Sequence, residues 1–404
     1  MKLANENLCT GCAACVNACP FDAISMQSDA EGFLQPIVDS IKCKNCGKCE
    51  RACPIISSIP KPLQIEKHPL CGASSSDEIW RASASGGAFS EICLALDDKN
   101  PVIFGARFDG SARVIHDSVE GAAAIAPFRK SKYVQSDIGY SFRACRARLE
   151  EGRMVIFAAT PCQIAGLRGY LGRDYDKLVT LEFICHGSGS PGFFKAWLDE
   201  IERKFGKKIA EYGFRFKAIS GKNREEYTSF YRFCDNTEKV LPRDLYNRFF
   251  LNQLCLRKSC MENCPFRNEA RYADITYADC RGEKSLYPDK DDKNWSVIIA
   301  NTEKGKMVVE ELKARMELRD YPCELLRATN PLYYRTTPGN PKRDEFFERY
   351  VAGERIHTIA KQLVPDPRDN KLRYFVSICW HKMCRFVPGL KLVDSIRISL
   401  KRRN

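Results

Sequence analysis

The chain has 404 residues, 44% of them hydrophobic, with 21 cysteines and a formal net charge of +13. That hydrophobic share excludes a disordered chain, and the length exceeds what one core usually supports, so two or three domains are expected. The longest apolar runs, such as Tyr374 to Trp380 and Val297 to Ala300, are far shorter than the ~20 residues that cross a bilayer, which excludes a transmembrane helix.

No basic, apolar leader precedes Cys9, Cys12 and Cys15, so the reading is a cytoplasmic, reduced chain whose cysteines bind metal or clusters rather than pair as disulfides. Cys9, Cys12, Cys15 and Cys19 follow the spacing Cys-x2-Cys-x2-Cys-x3-Cys-Pro, and Cys43, Cys46, Cys49 and Cys53 repeat it. Three thiolates so spaced wrap one face of a cubane, while the fourth of each run reaches across to the other cluster. This assigns one [4Fe-4S] cluster to Cys9, Cys12, Cys15 and Cys53, and a second to Cys43, Cys46, Cys49 and Cys19. Structural zinc usually takes paired knuckles with a longer spacer. Residues 1–58 therefore resemble a bacterial two-cluster ferredoxin domain. Residues 1–60 hold five Lys/Arg and six Asp/Glu, a net of −1, so the rest of the chain carries +14. An acidic cluster domain on a basic body is expected, and no nucleic acid.

Pro60, Pro62 and Pro69 mark a linker over 59–70. Ser85-Gly86-Gly87 then precedes a helical pattern of Phe89, Ile92, Cys93 and Leu96. Glycines there can bring backbone N–H groups onto a phosphate, and an ordinary capped helix start is the competing reading. A strand from Pro101 to Phe108 and a helix from Ser141 to Glu151 follow. Val155 to Ala159 reads as a buried strand stopped by Pro161, with a helix from Gln163 through Leu171. Cys162 thus falls between strand end and helix start, where an open α/β sheet places ligands and a helix favours a thiolate. It is read either as a nucleophile or as a ligand. Leu178 to Ile184 repeats the arrangement and ends in Cys185-His186-Gly187, so two strands deliver Cys162 and Cys185 to one edge. A Cys185–His186 nucleophile pair is disfavoured, because adjacent residues on a strand point apart.

Further along, the pattern predicts a helix over Phe193–Phe205, a hairpin from Tyr212–Lys217 and Tyr227–Phe233, and a helix over Arg243–Leu256. The last runs into Cys255, Cys260 and Cys264, and Asp274 to Gly282 reads as strand and turn. From Asp366 to Asn404 there are ten Lys/Arg and three Asp, with Leu392, Val393, Ile396 and Leu400 on one helical face. Such a basic amphipathic helix lies on a membrane surface, docks on a partner, or packs on its own body.

From about Cys71 to Gly282 the chain resembles the beta subunits of coenzyme F420-reducing hydrogenases and dehydrogenases. The matching stretches are Ser85-Gly86-Gly87, Ser131 to Ser136, Thr160 to Leu167, Cys185-His186-Gly187, Phe214 to Lys217, Ser259-Cys260 and Asp274-Ile275-Thr276, in the same order. The resemblance implies an FAD-bearing domain with a third [4Fe-4S] cluster on Cys162, Cys185, Cys260 and Cys264. It implies that Ser85, Gly86 and Gly87 bear on the flavin and that Lys132, Tyr133, Gln135 and Ser136 border flavin or substrate. Thr160, Gln163, His186 and Gly187 complete the cofactor-binding set. Two departures stand out. Cys260-x3-Cys264 replaces Cys-x2-Cys, which leaves Cys255 and Cys280 as rivals for the fourth ligand. Ala278-Asp279-Cys280-Arg281-Gly282 replaces Gly-Asp-Phe-Trp-Gly on the substrate side.

The expected fold class is multidomain, α+β with α/β. A small bacterial-ferredoxin-like domain (1–58) and the linker (59–70) lead into a mixed α/β flavin-binding domain in two parts (71–150 and 151–340), and a basic helical tail follows (341–404). The expected function is a cytoplasmic iron–sulfur flavoprotein oxidoreductase, passing electrons between [4Fe-4S] clusters and a hydride-exchanging substrate through FAD. The alternative is a non-catalytic electron-transfer subunit on a larger redox partner. Expected partners are a redox protein such as ferredoxin and a small hydride donor or acceptor, reduced deazaflavin among them.

Overall fold

The computed structural model describes residues 2–110, 112–217, 228–242, 244–261, 264–290, 293–336 and 338–364. They fall into two compact units, divided between Phe347 and Glu348. The basic stretch expected from Asp366 onward lies outside the described residues, as does Tyr227 of the expected hairpin.

The two cysteine runs fold alike. Each contains a five-residue helix, α1 (Ala14–Ala18) and α2 (Lys48–Ala52), entered through a left-handed residue, Ala13 at φ 57° and Gly47 at φ 70°. Cys19 and Cys53 end these helices in extended conformation. Helices this short are unstable alone, so packing must hold them. An antiparallel hairpin, β1 (Ile24–Ser28) and β2 (Leu34–Val38), joins the runs. Residues 60–69 have no regular element but are tied down: the Ile65 N–H donates to the Asn301 carbonyl and Gln64 Nε2 to the Arg271 carbonyl, each at 3.1 Å.

The chain continues through β3 (Leu70–Ser74), α3 (Asp77–Ala82), α4 (Ala88–Ala95), β4 (Val102–Phe108), β5 (Val114–Glu120), α5 (Ser141–Glu150), β6 (Val155–Ala159), α6 (Pro161–Leu171), β7 (Leu178–Phe183) and α7 (Pro191–Phe205). A separate antiparallel sheet follows, β8 (Ile209–Gly213), β9 (Ser229–Phe233) and β10 (Glu238–Leu241), then α8 (Leu245–Leu251). β11 (Ile275–Asp279), α9 (Glu283–Leu286), β12 (Ser296–Ala300), α10 (Glu303–Leu312), β13 (Met316–Asp320) and α11 (Cys323–Thr329) complete the main body. Helix α12 (Arg343–Val351) runs into the second unit, whose described part holds α13 (Ile356–Leu363) and an Arg349–Glu354 ion pair at 2.6 Å.

Among the described residues the main sheet has eight strands in the order β13-β3-β12-β11-β7-β6-β4-β5. β4, β6, β7 and β11 run parallel, so their carboxyl ends share one edge. Residue alternation in β6 builds two cores. Val155, Phe157 and Ala159 face Phe142 of α5 and Ile164 of α6, while Ile156 and Ala158 join Ile92 of α4 and Val308 of α10. A strand covered on both faces needs such an unbroken apolar run.

Three elements differ from expectation. Helix α6 starts at Pro161 rather than Gln163, because proline's fixed φ suits the first helical position and Thr160 and Gln163 form a capping box around it. The helix expected over Arg243–Leu256 ends at Leu251, and Gln253 at φ 61° turns the chain away. Strand β8 stops at Gly213 instead of running to Lys217, although the Phe216 N–H still reaches the Thr228 carbonyl at 2.9 Å. No helix among the described residues is long and apolar enough to cross a membrane.

Helix α6 also seats the cysteine runs. A Cβ on Gly166 would stand 2.9 Å from Cys12 Sγ, and one on Gly169 2.4 Å from the Ala52 carbonyl oxygen. Three residues apart, these glycines share a face. From α5, Arg143 donates to the Asn17 carbonyl at 3.0 Å and the Cys19 carbonyl at 2.6 Å, and pairs with Asp22 at 2.8 Å. We expect Gly169→Ala to force α2 off α6 and cost about 1–3 kcal/mol, seen as a lower urea midpoint for anaerobically purified protein. An unchanged midpoint would show that the two helices do not depend on this contact.

Candidate functional site

Two groups of four thiols lie in the first 58 residues. The charges of Cys15, Cys53 and Cys9 all bear on Cys12, after burial itself, which raises its pKa most. Burial also pushes Cys15 up to about 12, with Cys9 and Cys53 adding to it. Cys19, Cys43, Cys46 and Cys49 line a second small cavity. Cys53 therefore stands with the first run and Cys19 with the second. The first group is the more enclosed, with Cys9 and Cys12 buried. In the second, Cys46 is exposed and Cys43 half-buried.

A third group forms at the carboxyl edge of the main sheet. Cys162, in the first turn of α6, is raised by burial and then by the charges of Cys260, Cys12 and Cys264. Cys185, just past β7, is raised by burial and then by Cys260, Cys162 and Cys264. Adjacent parallel strands bring the first two together, and the loop after α8 supplies the others. Burial pushes the Cys162 thiol up, which disfavours the thiolate that a nucleophile needs. The two rivals have other company: Cys255 interacts with Tyr246, and Cys280 with Cys71. His186, held down to about 4 by burial and the Arg267 charge, directs Nε2 at the Phe250 carbonyl, 3.3 Å away.

The donor chemistry fits iron–sulfur clusters. Backbone N–H groups point at cysteine sulfurs in all three groups: Gly11 to Cys9 at 3.4 Å, Ala23 to Cys19 at 3.3 Å, Asn45 to Cys43 at 3.5 Å and Ser188 to Cys260 at 3.4 Å. Hydrogen bonds to a sulfur favour its thiolate form and tune a cluster's potential. Among the described residues no group of three or more His, Cys, Asp or Glu side chains closes on a single metal ion. A cubane asks less: its thiolates bind separate corners, whereas tetrahedral Zn–S bonds of ~2.3 Å draw sulfurs to ~3.8 Å.

Sequence reasoning missed the clamp between the first and third groups. The Arg257 guanidinium is buried, with Nε donating to the Cys9 carbonyl at 2.6 Å and Nη1 to the Leu34 carbonyl at 3.0 Å and Gln135 Oε1 at 3.1 Å. Ser259 Oγ donates to the same Cys9 carbonyl at 3.0 Å. Arg257 Nη2 and Thr10 Oγ1, both buried beside the first group, have no hydrogen-bond partner among the described residues. Behind the third group, Arg267 Nη2 donates to the His186 carbonyl at 2.8 Å, and buried Arg271 pairs with buried Glu182 at 3.3 Å. Arg257, Arg267 and Arg271, spanning 15 residues around the Cys260–Cys264 pair, were the available signal.

The residues expected to hold a flavin fall into two places. Near β3 and β12, Ser85 Oγ donates to the Trp295 carbonyl at 2.8 Å, and the Gly86 N–H to Ser296 Oγ at 2.9 Å. A Cβ on Gly86 would stand 2.4 Å from the Gly72 carbonyl oxygen, so the protein's own backbone requires this glycine. Gly87, at φ 101°, enters α4. Around the third group, Lys132 Nζ donates to the Arg129 carbonyl at 2.7 Å, and Tyr133 stacks on Phe250 with ring centroids 4.6 Å apart. Gln135 Nε2 reaches the Thr10 carbonyl at 3.3 Å, and Gln163 Nε2 reaches Ser136 Oγ at 3.0 Å. Thr160 Oγ1 lies 3.2 Å from Cys162 Sγ, and Gly187, at φ 138°, passes the Cys260 Cβ. The polar side chains among these residues make their hydrogen bonds within the protein.

Residues 152–322 match the family model for the C terminus of the coenzyme F420 hydrogenase/dehydrogenase beta subunit. Residues 8–55 match a 4Fe-4S dicluster domain. The B subunit of the Na(+)-translocating ferredoxin:NAD(+) oxidoreductase complex of Acetobacterium woodii is 41% identical over 59 residues, 14% of this chain, and the match spans 16% of that relative's length. One chain of the F420-reducing [NiFe] hydrogenase complex from Methanosarcina barkeri is similar over 75% of this chain and 94% of its own, with 13% identity and a TM-score of 0.41. The chain therefore carries, over residues 152–322, the C-terminal domain of the coenzyme F420 hydrogenase/dehydrogenase beta subunit and, over residues 8–55, a 4Fe-4S dicluster domain.

Proposed function

We propose that this iron–sulfur electron-transfer protein is an oxidoreductase component with three [4Fe-4S] clusters in series. The crossed groups in the first 58 residues would hold two, and Cys162, Cys185, Cys260 and Cys264 the third. One observation carries the proposal. Gly166 presses α6 against Cys12 Sγ, and Cys162 lies four residues earlier on the same helix, a rise of ~6 Å. A single rigid helix thus links a thiol of the first group to one of the third, while the exposed Cys46 of the second group offers an entry from solvent.

The residues have separable tasks. Cysteine thiolates hold the irons, backbone N–H groups and Arg257 offset their charge, and burial by α1, α6 and the Arg257–Cys260 segment keeps water out. FAD enters through the family resemblance, since a flavin exchanges one or two electrons when bound. Ser85, Gly86, Gly87 and Lys132 to Ser136 stay our reading of its seat. The second reading, a non-catalytic electron-transfer subunit docking on a larger redox partner, requires no flavin. If a flavin is present, a hydride-exchanging molecule such as reduced deazaflavin is the first substrate to try.

Anaerobic purification with iron and flavin analysis divides the two readings. We expect about twelve irons per chain for three [4Fe-4S] clusters, with bound FAD in the enzyme reading and none in the other. Cys264→Ser should lose about four of those irons, whereas Cys255→Ser and Cys280→Ser keep them all; iron loss in either rival instead would reassign the fourth ligand. Arg257→Gln should preserve iron but lower the first cluster's reduction potential, because a cation beside a cluster stabilises its more negative, reduced state. EPR-monitored redox titration reads this, and an unmoved potential removes Arg257 from the site.

A further inference from the structure

Beside the second thiol group runs a groove of ≈ 760 Å³ whose lining carries seven Lys/Arg and one acidic residue, Asp174. Cys19 lines both this groove and the cavity of the second group. We propose that the groove and the surface around Cys46 form the docking site of an acidic one-electron carrier protein. The proposal rests on the iron–sulfur reading above.

The cations divide by role. Arg143 is spent on carbonyls of the first cysteine run, and Arg168 on the Tyr272 carbonyl and Asp174, so these two build the wall. Lys48, Arg51 and Arg173 are exposed to solvent. Lys48 makes no hydrogen bond or ion pair among the described residues, Arg51 meets only the Cys46 carbonyl, at 3.4 Å, and Arg173 lies over the Tyr175 ring at 4.6 Å. Lys48 and Arg51 sit on α2, the helix that carries Cys49, so positive charge lies beside a cysteine group that itself reaches the surface. Apolar surface is also exposed there. Phe21, which lines the second cavity, is 43% exposed, and Ile41, two residues before Cys43, is 89% exposed. Apolar residues at the centre with charge at the rim is how protein interfaces are built.

A carrier protein explains this arrangement better than a small anion. A phosphate or nucleotide would be satisfied anywhere on the basic body, and gains nothing from lying next to the one cysteine group open to solvent. An acidic carrier gains both attraction and a short path, and complementary charge speeds its encounter. In each encounter one electron leaves the carrier's reduced centre, which is oxidised by one unit. Cys19, Cys43, Cys46 and Cys49 would hold the cluster that takes up that electron, and no bond is made or broken.

The test uses the full-length, cluster-loaded protein with a reduced, acidic two-cluster ferredoxin as donor, followed by stopped-flow absorbance. Lys48→Glu combined with Arg51→Glu and Arg173→Glu should slow reduction at least about tenfold near 0.01 M ionic strength, and the ratio to wild type should approach one near 1 M, where the Debye length is only ~3 Å. Total iron and the extent of reduction by excess dithionite should match wild type. Lys48→Glu alone, at a side chain that holds nothing in place, guards against misfolding and should show the same trend at several-fold. Wild-type rates in both variants at low salt would overturn the docking site alone, as would binding of a short DNA duplex with the same residue dependence. A preparation without cluster iron would overturn the iron–sulfur reading and this proposal together.

Discussion

At Gly166 an added methyl group would stand 2.9 Å from the Cys12 sulfur, and at Gly169 it would stand 2.4 Å from the Ala52 carbonyl oxygen. Helix α6 therefore closes on the two cysteine runs through Cys12, the Ala14 methyl, the Ala52 backbone and the Ile59 side chain. Everything else about the site follows from this approach. The five-residue helices could not persist in isolation, and α6 supplies the surface that stabilises them. Because Thr160 and Gln163 cap α6 and Pro161 sets its first turn, its end is fixed. Cys162 is thereby held at a set distance from the first cysteine group.

The second constraint is electrostatic. Thiols gathered in threes and fours and buried resist ionisation, as the raised Cys12, Cys162 and Cys185 show. Bound iron reverses that by supplying positive charge. A buried guanidinium has the opposite difficulty, since removing it from water costs several kcal/mol unless it is paired. Arg257 places its charge beside the Cys9 loop and keeps one N–H there unpaired. Each difficulty eases the other, which gives a physical reason for a buried arginine in a loop far away in sequence. Arg143 performs a related task at the outer face, collecting carbonyls at the end of α1.

The main sheet contributes position rather than chemistry. Parallel β6 and β7 put Cys162 and Cys185 side by side at the carboxyl edge, where open α/β sheets commonly place their ligands. The loop after α8 brings Cys260 and Cys264 over that edge, and Gly187 at φ 138° allows the close passage of Leu256 and Cys260. Cys280, after β11, interacts with Cys71 of β3.

The sequence by itself determined the parts whose physics is local. Cluster spacing in the two cysteine runs, the strand–cysteine–helix units at Cys162 and Cys185, and the family resemblance were legible because each depends on a short stretch of residues. Other parts depend on residues far apart in the chain. Val297 to Ala300 read only as an apolar run too short for a membrane, and it became β12 because β3 and β11 flank it. That Gln135 reaches the Thr10 carbonyl and that Gln163 caps α6 through the Thr160 N–H likewise depend on the fold. No spacing rule shows that Gly166 faces Cys12 or that Arg257 reaches Cys9, 248 residues away. Only the tertiary structure decided those contacts, because close approach and burial are properties of surfaces that the chain brings together after it folds.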